Sequence, residues 1–151
     1  MAAEQRRPDL AAMIVPLGRA LMAAELPILR AHGLTMWAYA VLLRLDEDPV
    51  RSQAALAESI GADKTRIIDV LNDLEARGLL LRRPDPADRR VRLLSLTPEG
   101  RRTRDATQTA IQSRENHLLT RHLPAPQRAA FLTALHTLAT LPPSELGSQE
   151  E

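Results

Sequence analysis

Along the first stretch of the chain, from about Asp9 to Ala31, apolar residues recur three and four apart: Leu10, Met13, Ile14, Leu17 and Leu21. That is the period of a helix with one apolar stripe. Pro16 and Pro27 fall inside it. Proline has no N–H and its ring collides with the preceding turn, so kinks or breaks are expected there. Gly33 stops the segment. Thr35 is placed as the N-cap of a second helix, MWAYAVLLRL, which the DEDP stretch at 46–49 ends. Ser52 then caps a short helix, QAALAESI, closed by Gly61, and Asp63 caps KTRIIDVLNDLEAR, closed by Gly78. In this last helix Ile67, Val70, Leu71 and Leu74 form one buried stripe. Thr65, Asp69, Asn72 and Ala76 lie on the opposite face, flanked by Arg66 and Ile68.

Two short helices joined by a tight turn containing glycine form a helix-turn-helix pattern. The period then changes. LLLRR and VRLLSL are β-compatible runs on either side of PDPADR, and they predict a hairpin with a long turn. Thr97-Pro98 opens another helix, with threonine at the N-cap and proline at the first helical position, running to about His122. LPAPQ breaks the chain. A final helix carries Phe131, Leu132, Leu135, Leu138 and Leu141, and Pro142-Pro143 ends it, leaving a polar tail expected to fray. The expected fold is mainly α with a small β-hairpin wing, a winged helix-turn-helix within a single domain over residues 1–151.

Charge sharpens this picture. The net charge of +1 conceals a local excess: residues 77–104 hold nine arginines against Asp85, Asp88 and Glu99. Lys64 is the only lysine in the chain. A GC-rich genome accounts for a general bias toward arginine, but not for its concentration in RRPDPADRRVR at 82–92. A basic region on a near-neutral protein indicates one surface that faces a polyanion. The absence of cysteine excludes disulfides and thiol redox sensing. There is no Gly-rich phosphate loop and no nucleophile elbow. His117 and His122 are five apart, about 140° around a helix, too divergent for a zinc pair. No enzyme, metal or cofactor is expected. No uninterrupted run of about 18 apolar residues occurs, so a cytoplasmic protein without a membrane partner is expected.

Double-stranded DNA is the polyanion that suits this arrangement. The second helix of a helix-turn-helix fits a major groove, and an arginine-tipped hairpin beside it falls where the backbone or minor groove would be. Lys64 and Arg66, in the first turn of that helix, are expected at phosphates or bases. Thr65, Ile68, Asp69 and Asn72 continue the reading face, with Ile68 suited to a thymine methyl and Asp69 to the cytosine amine. Arg89, Arg90 and Arg92 are expected contacts from the wing. Ser52, Gln53 and Arg77 are candidates for phosphates, Ser52 also serving as a cap. Asp88 is expected to shape the wing by pairing with Arg90, and the sequence leaves open whether Arg89 or Arg90 enters the minor groove.

The run LAESIGADKTRIIDVLNDLEARGLLLRRPDPADRRVRLLSLTPEG resembles the winged helix-turn-helix of MarR-type transcriptional regulators. The most specific pieces are LEARGL, the RRPDPADRR wing with its Asp88-x-Arg90, and LTPEG. GLTMWAYAVL resembles the family's second helix. The likeness spans about residues 10–141 and is strongest from 33 to 102. It implies a homodimer whose N- and C-terminal helices, here 8–32 and 103–141, pair around the DNA-binding part at 33–102. It also implies a regulator, in expectation a repressor acting on a palindromic operator. Many members release DNA on binding small phenolic or anionic molecules. Trp37 and Tyr39 are the candidate pocket wall for such an effector, with Met13, His32 and Met36 beside them. Asp69 departs from the basic or neutral polar residue common in the family. It keeps an alternative in view, a winged-helix dimer that binds a protein partner and has little DNA affinity.

Overall fold

The computed structural model describes residues 6–45 and 52–147, so the expected DEDP stop at 46–49 lies outside the described residues. Each residue expected as an N-cap forms that cap with a short polar side chain. Thr35 Oγ1 accepts the Ala38 N–H at 3.1 Å and opens α2 (Met36–Leu45). Ser52 Oγ accepts from Ala55 N and opens α3 (Gln53–Ile60). Asp63 Oδ1 accepts from Arg66 N at 2.8 Å and opens α4 (Lys64–Ala76). Such caps satisfy N–H groups that have no partner within the helix. The turn between α3 and α4 needs a left-handed residue, and Gly61 supplies it at φ 71°.

α1 (Leu10–Ala31) precedes these and corrects one expectation: Pro16 and Pro27 both lie inside it and neither ends it. Each proline removes one ladder hydrogen bond, and the helix is continuous across both. Its exposed large apolar residues include Leu10, Met13, Ile14, Val15 and Leu17, while Leu29 near its end is fully buried. By length and composition alone α1 is long and apolar enough to cross a membrane, a property that counting uninterrupted apolar residues missed.

β1 (Leu80–Pro84) pairs antiparallel with β2 (Arg92–Leu96), Leu80 opposite Leu96 and Arg82 opposite Leu94. Alternation puts Leu80, Leu94 and Leu96 inward. These leucines join Ile67, Leu71 and Leu74 of α4 and Val41 and Leu42 of α2 in one core, with Val70 packed against it. The stripe predicted for α4 is the stripe it buries.

α5 (Pro98–His122) follows. Thr97 Oγ1 accepts the Gly100 N–H at 3.0 Å and donates to Gly78 O at 2.6 Å, while Thr97 N donates to Leu79 O. One threonine therefore ties the start of α5 to the end of α4. At Gly100 the backbones approach so closely that a Cβ would stand 2.0 Å from Leu79 O.

The chain divides into two compact bodies, residues 1–111 and 112–151. The division falls within α5. Gly100, Arg104, Thr107 and Ile111 are buried at spacings of three and four, so the first turns of α5 belong to the winged head. In the second body α6 (Ala125–Ala139) buries none of its residues. Phe131, Leu132, Leu135 and Leu138 are all exposed. α6 stops before Leu141, and a further short helix, α7 (Pro143–Gly147), occupies part of the stretch expected to fray. Pro143 serves as its first residue, a position at which the missing N–H costs nothing.

Gly100→Ala should destabilise the fold by about 3 kcal/mol, since the added methyl meets backbone and not a movable side chain. Urea unfolding of the full chain checks this, and an unchanged midpoint would show that the α5 start can shift away without loss.

Candidate nucleic-acid interface

α4 presents two unlike faces. Ile67, Leu71 and Leu74 are fully buried, while Lys64, Thr65, Arg66, Ile68, Asp69 and Asn72 are exposed. The capping carboxylate of Asp63 fixes where the helix begins, and so which side chains occupy its first turn. Arg66 does not extend freely from that turn. Its guanidinium lies over the Trp37 ring, 5.8 Å from the centroid, a cation–π contact worth about 0.5–1 kcal/mol at a partly exposed site.

The wing tip is built by its aspartates. Asp85 is buried and its Oδ1 accepts the Ala87 N–H at 2.9 Å. Asp85 N donates to Val91 O at 2.8 Å, closing the long turn across the strand ends. Asp88 Oδ1 accepts from Arg90 N at 3.1 Å and from Arg90 Nε at 3.2 Å. The Arg90 side chain is nonetheless 92% exposed. The expected Asp88–Arg90 pair is therefore formed, and it aims an arginine into solvent. Arg89 and Arg92 are exposed on either side.

Other candidates stand apart from this group. Arg77 caps the far end of α4, where its Nη1 pairs with Asp73 Oδ2 at 3.2 Å. Eleven residues of helix separate it from Arg66, about 16 Å at 1.5 Å each. Ser52 spends an acceptor on its cap, and Gln53 is half-buried beside it. Asn72 is not a free reader: Arg82 Nη2 donates to its Oδ1 at 2.7 Å, and Arg82 Nε lies 2.8 Å from Glu75 Oε2. Sequence reasoning missed this role of Arg82. The signal was present, because period-two alternation sets Arg82 on the same strand face as Leu80.

Among the expected effector residues, Tyr39 faces away from Trp37 and Met13 is remote from His32. Tyr39 is buried, whereas Trp37, two positions earlier and about 200° around α2, faces Arg66. Met13 is exposed on α1, 19 residues and so about 28 Å from His32. His32 Nδ1 lies 2.9 Å from Ile28 O, and Met36 packs against the core. Among the described residues no group of three or more histidine, aspartate or glutamate side chains could hold a metal ion.

A helix-turn-helix followed by an arginine-tipped hairpin defines a winged-helix protein. A family model described as MarR family matches residues 32–91. The transcriptional repressor CouR, solved bound to a 23-mer DNA duplex, is 32% identical, with 91% of this chain and 99% of that one covered at a TM-score of 0.68. The PcaV transcriptional regulator from Streptomyces coelicolor, solved in complex with its natural ligand, is 31% identical over 89% of this chain and 97% of that one, TM-score 0.62. This chain belongs to the MarR family, whose members are transcriptional regulators and not enzymes. The transcriptional regulator HosA of Escherichia coli O111:H- is 40% identical over 67 residues, 44% of this chain. That match spans about half of the HosA chain, 50%.

The Arg90 guanidinium, and then the Arg90 N–H, hold the Asp88 carboxyl below its ordinary value. A lowered folded pKa means the clamp contributes fully above the ordinary carboxylate value and is lost as pH falls through the lowered one. At neutral pH it is intact. An NMR titration of Asp88 should give a midpoint below that of an unfolded-chain aspartate, and Arg90→Ala should raise it. An unshifted midpoint would mean the tip is not held this way in solution.

Proposed function

We propose that this chain is a repressor that binds a palindromic operator as a homodimer and releases it when a small aromatic or phenolic acid binds. The observation that carries the DNA reading is α4 itself, exposed along Lys64, Thr65, Arg66, Ile68, Asp69 and Asn72 in the same body as the arginine-tipped wing. An exposed helix face of this kind enters a major groove, and arginines beside it meet phosphates or the narrow groove. The 23-mer duplex held by CouR supports this reading, as a property of that protein. Ser52, Gln53 and Arg77 are assigned to flanking phosphates and Arg92 to the wing's own backbone contacts. Asp69 is assigned to a cytosine amine.

The homodimer rests on apolar surface. The exposed residues of α1 and those of α6 are more than a lone winged helix normally leaves to water. A second copy covering them would put two heads on half-sites about 34 Å apart, or a multiple of that. Gel shift with a salt titration tests the whole reading. The retarded species should hold two chains, and binding should fall steeply with salt. Arg89→Ala with Arg90→Ala should weaken binding to every duplex and flatten the slope by up to about two phosphates' worth. An unchanged slope would remove the wing from the interface.

The effector reading is supported by PcaV, solved with its natural ligand, and is assigned to Trp37. A planar aromatic acid that takes the Trp37 ring displaces Arg66 from it, so effector and DNA compete for one arginine's position. It acts only by differing in affinity for the two arrangements. A panel of phenolic acids should therefore contain compounds that quench Trp37, the single tryptophan, and weaken DNA binding over the same concentration range. Trp37→Leu should lose that response. Release of DNA with unaltered potency from Trp37→Leu would place the pocket elsewhere.

A further inference from the structure

Five arginines lie in the wing, and Arg82 differs from Arg83, Arg89, Arg90 and Arg92 in being half-buried. Its strand position turns it toward the core-side face of the hairpin, opposite Leu94. From there it reaches two residues of α4 that are one turn apart, donating to Asn72 Oδ1 at 2.7 Å and pairing with Glu75 at 2.8 Å. A guanidinium has five donors and no acceptor. The amide atom that faces it must therefore be the oxygen. Asn72 is exposed, and its amide nitrogen is left without a partner among the described residues.

This changes what Asn72 can read. An unconstrained asparagine pairs with adenine through both ends, its oxygen accepting from N6 and its nitrogen donating to N7. Arg82 takes one of the two lone pairs of that oxygen and sets a guanidinium against that edge of the amide, so the N6 amine of adenine would have to approach beside a cation while the amide N–H end stays open. Guanine presents two acceptors in the major groove, N7 and O6, thymine presents O4 alone, and adenine sets its N6 amine against the incoming donor. We propose that Arg82 sets the base specificity of the recognition helix, by holding the Asn72 oxygen so that its amine selects guanine over adenine. This deepens the DNA-binding reading and rests on it. Glu75 serves as the second anchor that keeps Arg82 on the helix, and the wing and the reading face thereby share one side chain.

Selection of bound sites from a random duplex pool, with the full chain, tests the proposal. The unsubstituted protein should choose guanine at one position of each half-site. Asn72→Ala should lose the preference there and nowhere else. Arg82→Met keeps the apolar stem and removes every donor, so it should still bind DNA while the guanine-to-adenine ratio at that position falls at least about fivefold, the low end for one bidentate contact. A merely structural Arg82 would lower affinity for all sequences alike and leave that ratio unchanged. If circular dichroism shows Arg82→Met unfolded, Arg82→Lys is read in its place. A compact ammonium lacks the planar fork that spans Asn72 and Glu75 through two separate nitrogens, so the amide is no longer held in that orientation and the ratio must fall there too. An unchanged ratio, a preference unaffected by Asn72→Ala, or adenine chosen by the unsubstituted protein each overturns the proposal while DNA binding stands. Failure of the unsubstituted protein to retain any duplex in a salt-dependent way overturns the DNA reading and this proposal together.

Discussion

The winged head hangs on the backbone approach of Gly100 to Leu79. At that joint the end of α4, the first strand of the wing and the start of α5 meet within one side chain's reach, bound by the two hydrogen bonds of the Thr97 hydroxyl. Only glycine leaves room for the contact. Because the joint is short, the wing leaves α4 in one direction, and Arg82 arrives beside Asn72 and Glu75 instead of in solvent. The core leucines beneath, Leu71, Leu74, Leu80 and Leu94, supply the burial that holds the joint closed.

The same head restrains its arginines one by one. Arg66 rests on the Trp37 ring, Arg82 is held between an amide and a carboxylate, and Arg90 is clamped to Asp88 while its side chain stays exposed. Long side chains lose rotamer freedom when they bind, on the order of 0.5–1.5 kcal/mol each. Holding them beforehand moves part of that cost from binding to folding. Surface ion pairs of this kind contribute little to stability, so their value here lies in direction.

The two bodies differ in what they leave exposed. The first encloses a continuous core and sets polar side chains on the outer face of α4. The second encloses no residue of α6 and shows Phe131, Leu132, Leu135 and Leu138 to water. α1 likewise shows Leu10, Met13, Ile14 and Leu17 to water, while Ile28 and Leu29 at its end meet the core. Two apolar helix faces in a chain that already has a core are surface of the kind a partner covers, and a second copy is the partner proposed for them.

Local chemistry alone settled much of this protein. The caps at Thr35, Ser52, Asp63 and Thr97 and the left-handed glycines at 33, 61 and 78 act within a few residues, so the sequence determined where its helices begin and end in the head. The apolar period determined which face of α4 is buried, and the Asp88–Arg90 pair needed only two positions of chain. The rest depended on distance in space. Pro16 and Pro27 came to lie inside one continuous helix, and the division of α5 at residue 111 followed from which of its turns reach the core. Trp37 met Arg66, 29 residues further along the chain, and Tyr39 entered the core. Arg82 and Asn72, ten residues apart, were brought to 2.7 Å. A guanidinium carries no mark of its partner in the sequence, because the hairpin's register and the Gly100 joint, both tertiary, decide which amide it meets.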